Sequence, residues 1–88
     1  MPKAKRITLY LVEWCPHCVR AREFLRNEGI LFEVFDVEAD DVAWKRAMSL
    51  TGGVDIVPVI DIDGTAVWGA FTGTFESNLR RLLGINER

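Results

Sequence analysis

Cysteine is scarce in this chain: of 88 residues only Cys15 and Cys18 carry a thiol, and the single histidine, His17, lies between them. A zinc site needs two further donors beyond the pair, and no second pair exists, so one chain holds no complete site and no metal is expected. Long apolar runs are missing too. The stretch behind the basic Lys3, Lys5 and Arg6 covers only Ile7 to Val12, includes Thr8 and stops at Glu13-Trp14-Cys15. It is far short of the ~20 residues that cross a bilayer. No small-residue cleavage site follows it, so it does not read as a signal peptide, and the cytoplasm is the expected compartment. An excess of positive charge is also lacking. The formal net charge of −2 argues against nucleic acid as the main partner. With no repeat, low-complexity tract or linker, residues 1–88 read as one domain.

What is present is an ordinary globular balance, 49% hydrophobic and 27% charged, with no mark of disorder. Arg6 to Val12 is short, β-rich and apolar on both faces, as a buried central strand should be. Pro16 suits the first position of a helix, where its missing N–H costs nothing. Val19, Ala21, Phe24 and Leu25 are that helix's core positions, and Gly29 stops it. Leu31 to Val37 reads as a second strand. Asp40 and Asp41 then cap a helix reaching about Leu50, with Ala43, Ala47 and Leu50 on one face. Val57 to Ile62 is strand-like, and Asp63-Gly64 suits a two-residue hairpin turn into Thr65 to Trp68. Phe75, Leu79, Leu82 and Leu83 recur at helical spacing until Gly84. The expected order is β-α-β-α-β-β-α, an α/β fold with a four-stranded mixed sheet and three helices.

Chemistry points to the dithiol. Cys15-Pro16-His17-Cys18 ends a strand and opens a helix, where unpaired backbone N–H groups favour a negative charge. Residues three apart lie one turn apart on the same side of a helix. Cys15, at the tip, is expected to be exposed and to attack a substrate disulfide. Cys18, inside the first turn, is expected to be buried and to resolve the mixed disulfide. Two other readings stay open. Two chains sharing four thiolates form a metal or iron–sulfur site, and a structural disulfide over so short a loop constrains the unfolded chain little. A cationic His17 would stabilise the Cys15 thiolate, and Trp14 would form an apolar wall beside the sulfurs.

The segment Cys15-Pro16-His17-Cys18-Val19-Arg20-Ala21-Arg22 resembles the glutaredoxin Cys-Pro-Tyr-Cys signature and its helix, with His17 in place of tyrosine. Thr51-Gly52-Gly53 followed by Val57-Pro58 resembles the family's approach to a cis-proline opposite the dithiol. The resemblance covers nearly the whole chain. It implies a thioredoxin-like fold and a thiol–disulfide oxidoreductase in which Cys15 is the nucleophile and Cys18 the resolving thiol, with Pro16 and His17 tuning them. It further implies a cis Pro58, a Val57 backbone that pairs with the substrate main chain, and contributions to substrate or glutathione binding from Trp14, Gly69 and Thr72. Glutathione is the implied co-substrate, with no tightly bound cofactor, and protein disulfides or glutathione mixed disulfides are the implied substrates of a monomer. Two departures concern the electron donor. Val12 stands where glutathione-using members often carry Lys or Arg, and Trp68-Gly69-Ala70-Phe71-Thr72 lacks their acidic residue, so Thr72 either substitutes for it or caps the last helix. Trp68-x-x-Phe71 resembles redoxins that take electrons from thioredoxin reductase and serve ribonucleotide reductase.

Overall fold

A computed structural model describes residues 5–85, so Lys3 of the basic cluster lies outside the described residues. Alternation along β1 (Ile7–Leu11) builds the molecule in layers. Every residue of that strand is buried, because it lies inside the sheet and is covered on both faces. Ile7, Leu9 and Leu11 join Ile60 and Ile62 under α1 (Pro16–Asn27) and α3 (Gly73–Leu83). Tyr10 and Val59 point the other way, toward Ala43 and Ala47 of α2 (Asp41–Leu50).

The sheet runs β2-β1-β3-β4, with β2 (Glu33–Asp36), β3 (Val59–Ile62) and β4 (Thr65–Trp68). β1 pairs with β2 in parallel, from Thr8↔Glu33 to Leu11↔Asp36, and with β3 antiparallel. β3 and β4 form a hairpin about Asp63 (φ 51°) and Gly64 (φ 95°), the two positive φ angles that such a tight turn demands. Element order and mixed sheet are those the sequence implies. At about 15 Å, α2 is too short to roof its whole face of the sheet. Thr8, Tyr10 and Asp61 therefore line an open polar hollow there, with Arg6 and Arg46 at its edge.

Each helix has a local start and stop. Asp40 accepts the Ala43 N–H at 3.1 Å as the N-cap of α2, and Thr72 accepts the Phe75 N–H at 3.4 Å as that of α3. After α1, Gly29 adopts φ 70° and the Ile30 N–H reaches back to the Leu25 carbonyl at 3.0 Å. No helix among the described residues is long and apolar enough to cross a membrane.

Two strand boundaries and one helix face differ from the sequence reading. The second strand is shorter than Leu31 to Val37, since Glu33 faces Thr8 and a residue two earlier would lie beyond the start of β1. Leu31 is consequently 91% exposed. β3 begins at Val59 and not at Val57, because the ladder with β1 ends at Tyr10↔Val59 and Pro58 has no N–H to extend it. On α1 the buried face is Cys18, Ala21 and Leu25 with Phe24. These fall at i, i+3 and i+7, which turns Val19 to a half-buried flank. A further buried residue is Arg80. Its guanidinium bonds Glu76 at 3.0 Å and Glu28 at 3.1 Å and lies 5.0 Å above the Phe24 ring, joining α3 to the end of α1.

Candidate active site

The dithiol sits where β1 hands over to α1. Beyond Leu11 the chain turns, with the Cys15 N–H directed at the Val12 carbonyl at 3.4 Å. Cys15 is the N-cap residue of α1, extended at φ −86° and ψ 121°, and Pro16 occupies the first turn. Its carbonyl accepts the first helical bond, from the Val19 N–H at 3.1 Å. No side chain caps this helix, so its first amides have no side-chain acceptor where Cys15 begins it.

Both thiols are free, and their surroundings differ. Cys15 is half-buried; Cys18 has no exposed surface. Burial, together with a hydrogen bond to Cys15 and the charge of its thiolate, pushes the Cys18 thiol up from 9.0 to about 12. The Val12 backbone N–H and the Arg22 charge oppose the rise and lose. Cys18 thus keeps its proton and lends it to its partner. Arg22 is held in place by the Glu13 carboxylate at 3.0 Å.

His17 takes a different part from the one its position suggests. Its Nδ1 accepts the Phe71 N–H at 3.1 Å, linking the first turn of α1 to the loop before α3. An Nδ1 that accepts carries no proton, so the ring in this arrangement is neutral, with its proton on Nε2. The cationic role beside Cys15 would require that bond to break. Phe71 itself packs between Phe24 (5.8 Å between ring centroids) and Phe75 (5.3 Å), as core.

The Val57–Pro58 peptide bond is cis. Pro58 is buried, and its carbonyl accepts the Gly69 N–H at 3.3 Å. Val57 makes no backbone hydrogen bond within the described residues, so its N–H and C=O can pair with an incoming strand. Gly69 and Thr72 do not line the cleft that holds Val57 and Trp14. The Gly69 N–H is taken by Pro58, and the Thr72 hydroxyl oxygen by its own helix. Trp14 is 72% exposed, and its indole N–H bonds Glu38 at 2.8 Å. It is a wall of an open cleft and not buried packing beside the sulfurs. Opposite it stand Trp44 and Asp41 of α2, with Asp55 in the loop before Val57.

Those last residues the sequence reading missed. The sequence marks Asp41 as a capping residue, although Asp41 and Trp44 at i and i+3 share a helix face that excludes the core positions Ala43 and Ala47. An exposed tryptophan on that face was the available signal. Among the described residues, no three of His, Cys, Asp and Glu converge to hold a metal ion.

Comparison with known proteins agrees with this geometry. The glutaredoxin family model matches residues 7–67, a stretch that contains both the dithiol and Val57-Pro58. A glutaredoxin of Pseudomonas aeruginosa is 33% identical over 64 residues, covering 72% of this chain and 74% of the relative. Mycoredoxin 1 of Corynebacterium glutamicum is 34% identical over 61 residues, covering 67% and 73%. Among solved structures, a glutaredoxin from Archaeoglobus fulgidus superposes with a TM-score of 0.77 at 27% identity, covering 90% of this chain and 86% of that one. A variant of a thioredoxin-like protein superposes with a TM-score of 0.80 at 32% identity, covering 92% and 97%.

Proposed function

The chain belongs to the glutaredoxin family, and on that premise we propose that it reduces protein disulfides, and glutathione mixed disulfides on proteins, by dithiol exchange at Cys15 and Cys18. The observation that carries this reading is the asymmetry of the pair: a half-buried sulfur at the start of α1, hydrogen-bonded by a buried thiol that keeps its proton.

The exchange runs in two displacements. The Cys15 thiolate attacks one sulfur of the substrate disulfide in line with the S–S bond. A Cys15–substrate disulfide forms, the substrate bond breaks, and the departing sulfur leaves as a thiolate that takes a proton from solvent. Cys15 then no longer bears charge, and the two contributions it made to the high Cys18 value vanish. Burial still opposes ionisation, but the Val12 N–H and Arg22 now favour the Cys18 thiolate with less against them. Cys18 gives up its proton and attacks the Cys15 sulfur. The intramolecular disulfide forms, and the second substrate sulfur leaves and is protonated. Two electrons and two protons have passed to the substrate.

Regeneration is the same chemistry reversed, with electrons from thiols: two glutathione molecules or the dithiol of a thioredoxin-reductase-type partner. The Val57 backbone aligns the incoming chain by strand addition. A monomer is sufficient, since both sulfurs come from one chain, and a reducing compartment such as the cytoplasm keeps them free. The test is kinetic. Wild type, Cys15→Ser and Cys18→Ser are compared as reductants of a disulfide-bonded peptide under single-turnover conditions. Wild type is expected to release both thiols, Cys18→Ser to stop after one, and Cys15→Ser to release none. Release of both thiols by Cys15→Ser would refute the assignment.

A further inference from the structure

The cleft beside the dithiol is an unbalanced pocket of negative charge. It has a volume of about 550 Å3, and Glu38, Asp41 and Asp55 line it together with Trp14, Trp44 and Val57; no lysine, arginine or histidine does. Of the carboxylates outside it, Glu13, Glu28, Glu33 and Glu76 each pair with an arginine at 3.0 to 3.1 Å, and Asp36, Asp40, Asp61 and Asp63 each accept a backbone N–H. In the cleft, Glu38 accepts only the Trp14 indole N–H. Asp41 and Asp55 have no ion-pair partner among the described residues, and Lys45, one turn beyond Asp41, does not supply one. Carboxylates on an open convex face would simply be solvated. Here they surround two exposed indoles, 72% and 40% accessible at Trp14 and Trp44, in a concavity that ends at Val57 next to Pro58.

Resting on the dithiol reading above, we infer that this cleft selects disulfides flanked by lysine or arginine, in a protein or peptide. The two halves of the cleft suit the two halves of such a side chain. Its aliphatic stem lies along an indole, and its cationic head sits over a ring face or against a carboxylate. A segment paired with the Val57 backbone sends alternate side chains to opposite faces, so its cysteine can meet Cys15 while a neighbour enters the cleft. The hydrogen bond from Trp14 to Glu38 fixes one indole and one carboxylate as a unit before substrate arrives. The same field ranks glutathione, with two carboxylates against one ammonium group, below a cationic substrate in this cleft without excluding it. Val12, also in the lining, brings no cation to receive either.

Exposed ion pairs are individually weak, so three of them acting on one substrate charge shift its selection by roughly tenfold. The experiment uses the full chain and peptides of one sequence with the same internal disulfide, whose flanking residues are lysine, glutamine or glutamate. Reduction of the glutamine peptide reports on the dithiol alone; if wild type fails to reduce it, the underlying reading fails and this one with it. The expected kcat/KM order is lysine, glutamine, glutamate, with roughly tenfold between the extremes at low salt, shrinking toward unity at about 1 M salt. Glu38→Gln, Asp41→Asn and Asp55→Asn combined should flatten the lysine-to-glutamate ratio. Because the salt series needs no substitution, a folding defect in the triple variant leaves the inference exposed to refutation. Equal kcat/KM for the lysine and glutamate peptides in wild type, while the glutamine peptide is reduced, would overturn the selectivity and leave the dithiol chemistry standing.

Discussion

Raising the pH should cost this protein stability through Cys18 alone, in a window where the thiol of an unfolded chain is already ionised. Unfolded, that thiol loses its proton near its ordinary value of 9.0; folded and reduced, it holds the proton to about 12. Between those values the unfolded chain binds fewer protons than the native one, so stability falls as pH rises. Three units at 1.36 kcal/mol each give an upper bound of about 4 kcal/mol across the window. Against the ~5–15 kcal/mol that holds a typical domain together, the loss is large. Part of it comes from the hydrogen bond to Cys15 and the charge there, so it belongs to the reduced state. The assay is anaerobic urea unfolding of reduced wild type beside Cys18→Ala, stepped upward from pH 8. Contributions common to both proteins cancel in the difference. The expected result is a wild-type advantage that shrinks steadily above pH 9, while wild type oxidised to the Cys15–Cys18 disulfide shows no such term. A difference between wild type and alanine variant that stays flat up to about pH 11 would refute the reasoning, since some 2–3 kcal/mol should be gone by then.

Other expectations are local. Leu79 has no exposed surface and joins α3 to the core over β1 and β3, so Leu79→Ala should cost about 2–5 kcal/mol in the same unfolding assay. His17→Ala removes the acceptor of the Phe71 N–H; amide hydrogen exchange at Phe71 should accelerate while that at Leu9 and Ile60 in the sheet stays slow. If Phe71 exchange is unchanged, the bond between α1 and the β4–α3 loop does not persist in solution.

Much of this was legible in the sequence wherever one local signal decided the outcome. Pro16 behind Cys15, Asp40 before an amphipathic run, and Asp63-Gly64 between two apolar stretches each act through backbone geometry that no tertiary contact overrides. Signals that depend on a partner strand were less readable. Leu31 has the composition of a strand, yet it lies beyond the start of β1 and finds no partner there, and composition carries no register. The same limit applied at the site. The positions of Cys15 and Cys18 followed from spacing. His17 did not, because the Phe71 N–H that turns its ring into an acceptor is 54 residues away. Nor was the acidic cleft visible, since Glu38 before α2 and Asp41 at its start meet Asp55, from the loop before Val57, only in the folded chain.

The central claim is that Cys15 takes the substrate and Cys18 releases it, and mapping the trapped intermediate tests this most directly. Cys18→Ser is mixed with a disulfide-bonded peptide, quenched in acid, digested and analysed by mass spectrometry, with Cys15→Ser in parallel. The account predicts a peptide adduct on Cys15 in the first variant and none in the second. An adduct of comparable yield on Cys18 in Cys15→Ser would contradict it.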